Sequence, residues 1–310
     1  MKTYTIGLDI GGTSSKFGIV DSQGNILEQG RMETCRNADP LDFVQRIAQV
    51  LLPLIERYGR KDFKGIGIGA PNGNFYSGCI ELAPNLQWKG IVPMQKMLAE
   101  ALSLPAILTN DANAAAMGEM IFGGAKGMKD FIIITLGTGL GSGIVVDGKI
   151  LYGKSGIAAE MGQLIVEKDG RLCGCGRRGC LETYASATGI VKTVSLALEK
   201  GEKSSLAGVS PLTSAQITIA AEAGDKLALR SFEETGEILG LALANAVAFS
   251  SPEAIFLFGG LAHAGEFIIG PTRKAFEENL HNIYQGTVRL LPSSLVDADA
   301  AILGASALLY

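Results

Sequence analysis

The sequence predicts an α/β protein built from two related domains with a cleft between them. At 310 residues, the chain exceeds the roughly 250–300 at which a single hydrophobic core stops growing. Hydrophobic residues make up 47% of it and charged residues 19%, which is enough apolar material for buried sheets. Strand-like runs alternate with helix-like segments, and one strand–turn–strand unit occurs twice. These observations favour a duplicated α/β fold.

The strand-like segments are short apolar runs. The clearest helix spans residues 40–58, where apolar side chains follow the helical period behind an Asp39 cap and Pro40 in the first turn. Pro53 lies inside this segment, where it can kink the helix. Residues 200–211 are expected to form a surface loop between helices. The predicted strands lie at residues 5–10, 16–20, 65–69, 106–109, 131–136, 143–146 and 254–258.

A weak internal repeat relates the two parts of the chain. Residues 18–27, GIVDSQGNIL, resemble residues 143–151, GIVVDGKIL, and each copy follows a strand and a glycine-rich turn. Two copies of one unit predict a duplicated domain pair. We place the division near residue 112. The smaller domain then comprises residues 1–112, joined by a C-terminal helix at about 298–310, and the larger domain residues 113–297.

Composition and charge argue against several classes of function. The formal net charge of −4 lacks the basic excess that binding to a nucleic acid backbone requires. No stretch approaches the ~18 uninterrupted apolar residues of a membrane span, and the N-terminal residues do not resemble a signal segment. We therefore expect a cytoplasmic protein without nucleic acid or membrane partners. Three of the five cysteines lie between residues 173 and 180, which suits a metal or thiol cluster better than secreted disulfides.

The duplicated glycine turns predict a phosphate-binding site, because backbone N–H groups without neighbouring side chains can approach an anion closely. A carboxylate beside the turn can hold Mg²⁺, and hydroxyl and ammonium groups can bind phosphate oxygens. Either turn alone could equally be an ordinary hairpin that requires glycine. The predicted site comprises Asp9, Gly11, Gly12, Thr13 and Lys16 in the first copy and Gly137, Thr138 and Gly139 in the second.

Two further positions carry candidate chemistry. Gly259 and Gly260 follow a buried strand and could seat the adenosine of a nucleotide, or could form a close strand-to-helix turn with no ligand. Asn110 and Asp111 follow a strand-like segment and open an alanine-rich helix. The Asp111 carboxylate could accept a proton from an attacking hydroxyl there. Aspartate is also a common helix cap, so that alternative stays open.

Six motifs together resemble one known family, and the last of them is long and specific. They are DIGGT at 9–13 with Lys16, GIGAP at 67–71, NDAN at 110–113, LGTG at 136–139, EMGQ at 160–163 and CGCGRRGCLE at 173–182. Over nearly the whole chain the sequence is similar to the ROK family of bacterial sugar kinases and repressors, and within it to the glucokinases.

The resemblance implies an actin-like (ribonuclease H-like) ATPase fold and the ATP- and Mg²⁺-dependent phosphorylation of a hexose, most simply glucose. At matching positions it makes Asp111 the catalytic base, and Asn110, Glu160 and Glu182 ligands of the sugar hydroxyls. Carboxylates suit that task because a charged acceptor binds hydroxyl donors strongly. The resemblance also implies a homodimer or homotetramer, and a structural zinc ion held by Cys173, Cys175 and Cys180.

Two positions depart from the family pattern. Gln163 stands where the family has a histidine that serves both as fourth zinc ligand and as a sugar contact. The Gln163 amide can still donate and accept hydrogen bonds, so Gln163 stays a candidate sugar-binding residue. As a zinc ligand, however, an amide is poor beside imidazole. Zinc with a weaker fourth ligand and free or redox-active thiols therefore both stay open. Asn72 follows Pro71 where the family usually has glycine, at the expected approach of the sugar, so it is a candidate sugar-binding residue that could alter which ring substituents are accepted.

Two alternative functions stay open at this level. A kinase for N-acetylglucosamine or N-acetylmannosamine would need the same Asp111, Glu160 and Glu182. A non-catalytic sugar sensor or repressor is disfavoured for two reasons. The first strand begins at about residue 3, which leaves no room for a DNA-binding segment, and Asp9 and Asp111 are both retained.

Overall fold

Two five-stranded sheets with equivalent strand orders form the framework of the protein. The computed structural model describes residues 3–35, 37–295 and 297–310. The chain divides into a first unit, Met1–Met128 with Ile150–Ala159 and Ser294–Tyr310, and a second unit, Lys129–Lys149 with Glu160–Ser293. The chain thus leaves the first unit twice and returns to it each time.

The first unit is built on a sheet of order β3-β2-β1-β4-β8, beside a small sheet of β5, β6 and β7. Its strands are β1 (Tyr4–Ile10), β2 (Ser14–Val20), β3 (Ile26–Glu33), β4 (Phe63–Ala70), β5 (Gly73–Asn74), β6 (Cys79–Glu81), β7 (Ile91–Val92) and β8 (Ala106–Asn110). Its helices are α1 (Pro40–Tyr58), α2 (Met94–Leu102), α3 (Asp111–Ile121) and α8 (Asp297–Ala307). Strands β1, β4 and β8 are parallel, so their carboxyl ends meet at one edge.

The second unit repeats this plan with the order β11-β10-β9-β12-β13. Its strands are β9 (Phe131–Leu136), β10 (Leu140–Val146), β11 (Lys149–Ile150), β12 (Ala254–Phe258) and β13 (Arg289–Pro292), and its helices are α4 (Ala187–Glu199), α5 (Ser214–Glu222), α6 (Lys226–Ser250) and α7 (Glu266–Asn279). As in the first sheet, the central strand pairs antiparallel with the strand that follows it and parallel with its other neighbour. The repeated strand order confirms the duplication predicted from the sequence.

The predicted elements are present. Every predicted strand segment lies within an observed strand, and helix α1 has the predicted bounds. The Asp39 side chain accepts the backbone N–H of Leu41, and Pro53 is accommodated inside the helix. Residues 200–211 connect α4 and α5 without helix or strand. Strand β3 was missed because its polar sequence lies at a sheet edge and alternates between half-buried and exposed side chains.

Helix α8 packs directly on the backbone of the first sheet. A Cβ atom at Gly7 in β1 would collide with the carbonyl oxygen of Ile302, and one at Gly67 in β4 with that of Ala305. Only glycine allows a helix to approach strands this closely. Helix α3 packs on the same helix, and the division predicted near residue 112 falls at its start. As a domain boundary, that division stays a prediction. Each unit has its own apolar core, and within the described ranges every helix is too short or too polar to traverse a bilayer.

Candidate active site

The carboxyl ends of β1, β4 and β8 bring two aspartates together. Asp9 is opposite Gly69 in the register of β1 and β4, and Asp111 begins α3 directly after β8. A Cβ atom at Gly69 would lie 3.2 Å from the Cβ of Ala114 in α3, whereas its distances to the Asp111 Cα, 3.7 Å, and to Asp9 Oδ1, 3.8 Å, are ordinary contacts. Glycine at this position therefore lets the start of α3 pack closely on β4. This explains one glycine of the GIGAP motif.

Both aspartates have a raised pKa. Burial and the charge of Asp111 raise the pKa of Asp9 to about 7, whereas the charge of Lys16, its partner in the register of β1 and β2, acts in the opposite direction. Burial also raises the pKa of Asp111, although its carboxylate still reaches solvent and the N–H of Ala112 acts to lower the pKa. A carboxylate with a raised pKa is a stronger base. A divalent cation bound here would relieve the repulsion between the two charges.

Helix α3 is capped by Asn110. Asn110 occupies the N-cap position, and its Oδ1 accepts the N–H of Ala112 at 2.8 Å. Asp111 is the first residue of the helix itself. The alternative in which Asp111 serves as the helix cap is therefore wrong. One oxygen of Asp111 accepts the same N–H at 2.8 Å. Within the described part of the chain its second oxygen has no hydrogen-bond donor, so a ligand can use it.

Asn72 retains the backbone conformation that glycine would supply. Its φ is 50°, in the left-handed region that asparagine tolerates better than most residues. Its side-chain Nδ2 donates to the backbone carbonyl of Glu81 at 2.9 Å, and its backbone carbonyl accepts the N–H of Glu81 at 3.1 Å. The side-chain amide of Asn72 is thus engaged by strand β6.

The first glycine turn connects β1 and β2 and is closely packed. A Cβ atom at Gly11 would lie 2.7 Å from the carbonyl oxygen of Ser14, and one at Gly12 would lie 2.8 Å from that of Asn85. The Thr34 hydroxyl donates to the Gly11 carbonyl at 2.7 Å and holds the turn in place. Thr13 is exposed beside these glycines. Packing alone therefore requires both glycines, whether or not phosphate binds.

The second glycine turn connects β9 and β10. The N–H of Gly137 donates to the carbonyl of Gly139 at 3.0 Å, and Thr138 is exposed between them. Apart from its chain neighbours, no atom of the described residues lies within 4 Å of a Cβ added at Gly137, whereas one at Gly139 would lie 2.7 Å from Glu182 Oε2. Gly137 therefore leaves space for an anion, and Gly139 leaves space for a carboxylate.

The two glycines after β12 differ in their surroundings: one fits a close strand-to-helix turn and the other fits a ligand site. Gly259 has a φ of 101°, and a Cβ there would lie 2.9 Å from the carbonyl oxygen of Leu136. A close strand-to-helix turn is sufficient to explain it. Gly260 is exposed, and in the described part of the chain a Cβ added there meets no atom within 4 Å beyond its chain neighbours. Of the two, only Gly260 leaves its backbone open to a ligand.

Glu182 is the centre of a hydrogen-bond network in the second unit. Its Oε1 accepts the Gln163 Nε2–H at 3.0 Å and the Cys173 thiol at 3.0 Å. The N–H of Gln163 donates to the carbonyl of Glu160 at 3.0 Å. The structure thus brings together the three residues of this unit that were predicted to bind the sugar, Glu160, Gln163 and Glu182.

The three clustered cysteines have the geometry of a partial metal site. The Sγ atoms of Cys173, Cys175 and Cys180 all lie within 4.8 Å of one another. Zinc–thiolate bonds of about 2.3 Å place the sulfur atoms of a tetrahedral site roughly 3.8 Å apart, so these thiols fit three of its corners. Gln163 Oε1 lies 3.5 Å from Cys173 Sγ. The glutamine side chain is therefore next to the cluster, and no histidine of the described ranges joins it.

The cluster thiols differ in acidity. The backbone N–H and side chain of Arg177 lower the pKa of the exposed Cys175 thiol to about 7. Burial raises the pKa of the Cys173 and Cys180 thiols. Cys175 is thus the readiest of the three to supply a thiolate to a metal.

Arg171, which was not predicted, fixes the loop that carries the cysteines and Glu182. Its Nη1 donates to the carbonyls of Thr183 at 2.8 Å and Gly189 at 3.1 Å, and its Nη2 donates to Thr193 Oγ1 at 2.8 Å. The guanidinium also lies 4.4 Å from the centroid of the Tyr184 ring. Contacts between an arginine and backbone carbonyls leave no motif in the sequence, so sequence inspection could not find them.

A repeated sheet with a glycine turn after the first strand of each copy is the architecture of the actin-like ATPase folds, here in its two-unit sugar kinase form. The model of the ROK family matches residues 5–310, and the chain belongs to that family.

Similar proteins include both enzymes and regulators. The glucokinase of Thermotoga maritima is 34% identical over 313 residues, which cover 99% of this chain and 98% of that protein. The xylose repressor of Caldicellulosiruptor bescii is 30% identical over 274 residues, or 85% of this chain and 68% of the repressor. The crystal structure of a ROK family glucokinase from Streptomyces griseus with glucose and AMPPNP has a TM-score of 0.83 and 34% identity, covering 98% of both chains.

Proposed function

We propose that this protein is an ATP-dependent glucokinase, which transfers the γ-phosphoryl group of ATP to the hydroxymethyl oxygen of glucose and releases glucose 6-phosphate and ADP. The observation that carries the proposal is the pair of Asp9 and Asp111, both with raised pKa, at the carboxyl ends of β1 and β8, the two strands that flank β4. A sugar sensor has no need of a general base. Similarity to glucokinases over nearly the full chain supports the same choice.

Asp111 acts as the general base. It removes the proton of the hydroxymethyl group as the new oxygen–phosphorus bond forms and the bond from the γ-phosphorus to the bridging oxygen of ADP breaks. Asn110, rather than Asp111, caps the helix, which leaves one carboxylate oxygen of Asp111 for this proton. Only the ionised Asp111 carboxylate can accept the proton, so turnover decreases as the pH falls through its raised pKa.

Asp9 and the glycine turns bind the nucleotide. Asp9 would hold Mg²⁺ or its water shell, and bound Mg²⁺ supplies neutralisation of charge on the β- and γ-phosphates. The Thr13 and Thr138 hydroxyls donate to phosphate oxygens, and Lys16 contributes a positive charge. The open side of Gly137 admits a phosphate to the second turn, and Gly260 presents its backbone to the adenosine.

Asn110, Glu160 and Glu182 hold the sugar hydroxyls. Gln163 and Cys173 already donate to Oε1 of Glu182, so Oε2 is the oxygen left for a hydroxyl donor. Zinc on the three cysteines would fix the loop that ends at Glu182, with the Gln163 oxygen or water as a weak fourth ligand. Self-association as a dimer or tetramer stays a prediction.

The test is a substrate panel with ATP and Mg²⁺, in which ADP formation is measured with glucose, N-acetylglucosamine and N-acetylmannosamine. We expect kcat/KM for glucose to exceed that for either N-acetylated sugar by about tenfold or more. A higher kcat/KM with an N-acetylated sugar would support the same phosphoryl transfer but identify that sugar as the preferred substrate. Binding of glucose without ADP formation from any sugar would instead support the sensor.

A further inference from the structure

The first turn of α4 is bonded to the second glycine turn. The N–H of Ala187 donates to the carbonyl of Gly137 at 2.9 Å, and the Thr188 hydroxyl donates to the carbonyl of Thr138 at 2.7 Å. Thr188 is exposed, so water would otherwise satisfy its hydroxyl. These bonds fix the backbone of the turn to which we assign the phosphates.

The same turn of α4 is bonded to the residue to which we assign the sugar. The Ser186 hydroxyl donates to the carbonyl of Glu182 at 2.7 Å and accepts the N–H of Gly189 at 2.9 Å as the helix cap. Ser186 is completely buried. Residues 186–188 are thus bonded to Glu182 on one side and to Gly137 and Thr138 on the other, all inside the second unit.

We propose that Thr188 is a positioning residue that makes nucleotide and hexose binding interdependent. Phosphates bound at the glycine turn would hold the carbonyl of Thr138 in place, and Thr188 would pass that restraint through the cap residue Ser186 to Glu182. This inference rests on the proposed function, because it assigns the two ligands to these two turns. Linkage requires the effect to be reciprocal, so glucose must tighten nucleotide binding by the same factor.

The hydroxyl of Thr188 is the part of this connection that can be removed without disturbing the fold. Valine has nearly the same shape as threonine but no donor, and the exposed position tolerates it. The Ala187 bond to Gly137 stays in place. The substitution removes the bond to the Thr138 carbonyl and the 3.2 Å contact with the Ser186 hydroxyl. Because water can reach this exposed position, the loss weakens the coupling by about two- to tenfold.

The experiment measures glucose binding by calorimetry, alone and with a saturating non-hydrolysable ATP analogue. It compares the parent with Thr188→Val, Thr188→Ser and the control Thr218→Val, whose parent hydroxyl donates to the carbonyl of Ser214 in its own helix. In the parent and the control the analogue tightens glucose binding. In Thr188→Val we expect that gain to fall by about two- to tenfold while the affinity for glucose alone is kept, and Thr188→Ser restores the gain.

Several outcomes would overturn the inference. The analogue could fail to raise the glucose affinity of the parent, or could raise it as much in Thr188→Val as in the parent. Thr188→Ser could fail to restore the increase, or Thr188→Val could weaken glucose binding equally with and without the analogue. Hydrogen exchange at the amides of residues 181–184 gives a readout that needs no sugar. Protection by the analogue in the parent, lost in Thr188→Val, supports the coupling even if no glucose is phosphorylated, whereas that absence of turnover would contradict the proposed function alone.

Discussion

A single carboxylate at the start of α3 has the central role in the proposed chemistry. We predict that Asp111→Asn lowers kcat with glucose by about 10²-fold or more, because an amide cannot take up the proton. The amide oxygen can still accept the N–H of Ala112, so thermal stability and binding of an ATP analogue should be kept. Steady-state kinetics and a melting curve test this. A kcat within about threefold of the parent would show that another group is the base.

At the scale of single residues, the sequence identifies the candidates better than it assigns their tasks. In the pair Asn110 and Asp111 either side chain can cap a helix, and only the structure shows that Asn110 does so. Burial and, after it, the charge of Asp111 raise the pKa of Asp9, and Asp111 is distant in sequence and becomes a neighbour only through the pairing of β1, β4 and β8. Such an effect has no local signal.

At the scale of elements, the glycine turn between β9 and β10 offers a test of the nucleotide site. We predict that Gly137→Ala weakens binding of an ATP analogue by about tenfold or more, since its methyl group would occupy the space open to phosphate. Glucose affinity and melting temperature should be unchanged, because that methyl group has no close contact with the described residues beyond its chain neighbours. Calorimetry with each ligand alone decides this.

The neighbouring glycine provides the contrast. A side chain at Gly139 would meet the Glu182 carboxylate, so Gly139→Ala should weaken glucose and nucleotide binding together. Sequence patterns treat the two glycines alike, and only their surroundings separate them. Unchanged nucleotide binding in Gly137→Ala would favour an ordinary hairpin at this turn.

The cysteine loop is the second element with a testable feature. We predict that Gln163→His raises the retention of zinc during titration with a chelator, because imidazole completes a thiolate site better than an amide oxygen does. Residue 163 already lies beside Cys173. Zinc content per chain is measured for the parent, Gln163→His and the control Gln163→Asn. Identical retention curves would mean that a strong fourth ligand is already present or that the cluster is not a zinc site.

The motif that contains the three cysteines was sufficient to predict their clustering. It could not indicate how the loop is held, because Arg171 and Ser186 act through backbone carbonyls. Any sequence offers such carbonyls at every residue. The packing of the loop, and with it the orientation of Glu182, therefore had to come from the structure.

At the scale of the whole molecule, the internal repeat was sufficient to predict two related sheets. The return of residues Ile150–Ala159 to the first unit was not predicted. It is anchored by Asn74 Nδ2, which donates to the carbonyl of Ser155 at 2.8 Å across 81 residues of sequence. Contacts of this range depend on the assembled fold and leave no periodic pattern in the chain.

The close packing of α8 on the first sheet gives a prediction for stability. Gly67→Ala should destabilise the protein by about 3 kcal/mol or more, because the new methyl group must displace the helix or the strand. The control is Gly260→Ala, where an added Cβ meets no described neighbour within 4 Å and the backbone is not left-handed. There we expect no loss, or a gain of up to about 1 kcal/mol. Denaturant unfolding of both variants tests the contrast, and equal stabilities would contradict the packing described.

The path of the chain has a consequence during synthesis. The second unit is complete once Ser293 has left the ribosome, whereas the first unit still lacks α8, which packs on β1 and β4. The part translated first therefore finishes folding last, in contrast to the usual order in which N-terminal domains fold first. Until α8 has folded onto it, one face of the first sheet stays exposed to other nascent chains. A pause in translation before residue 297 would prolong that exposure.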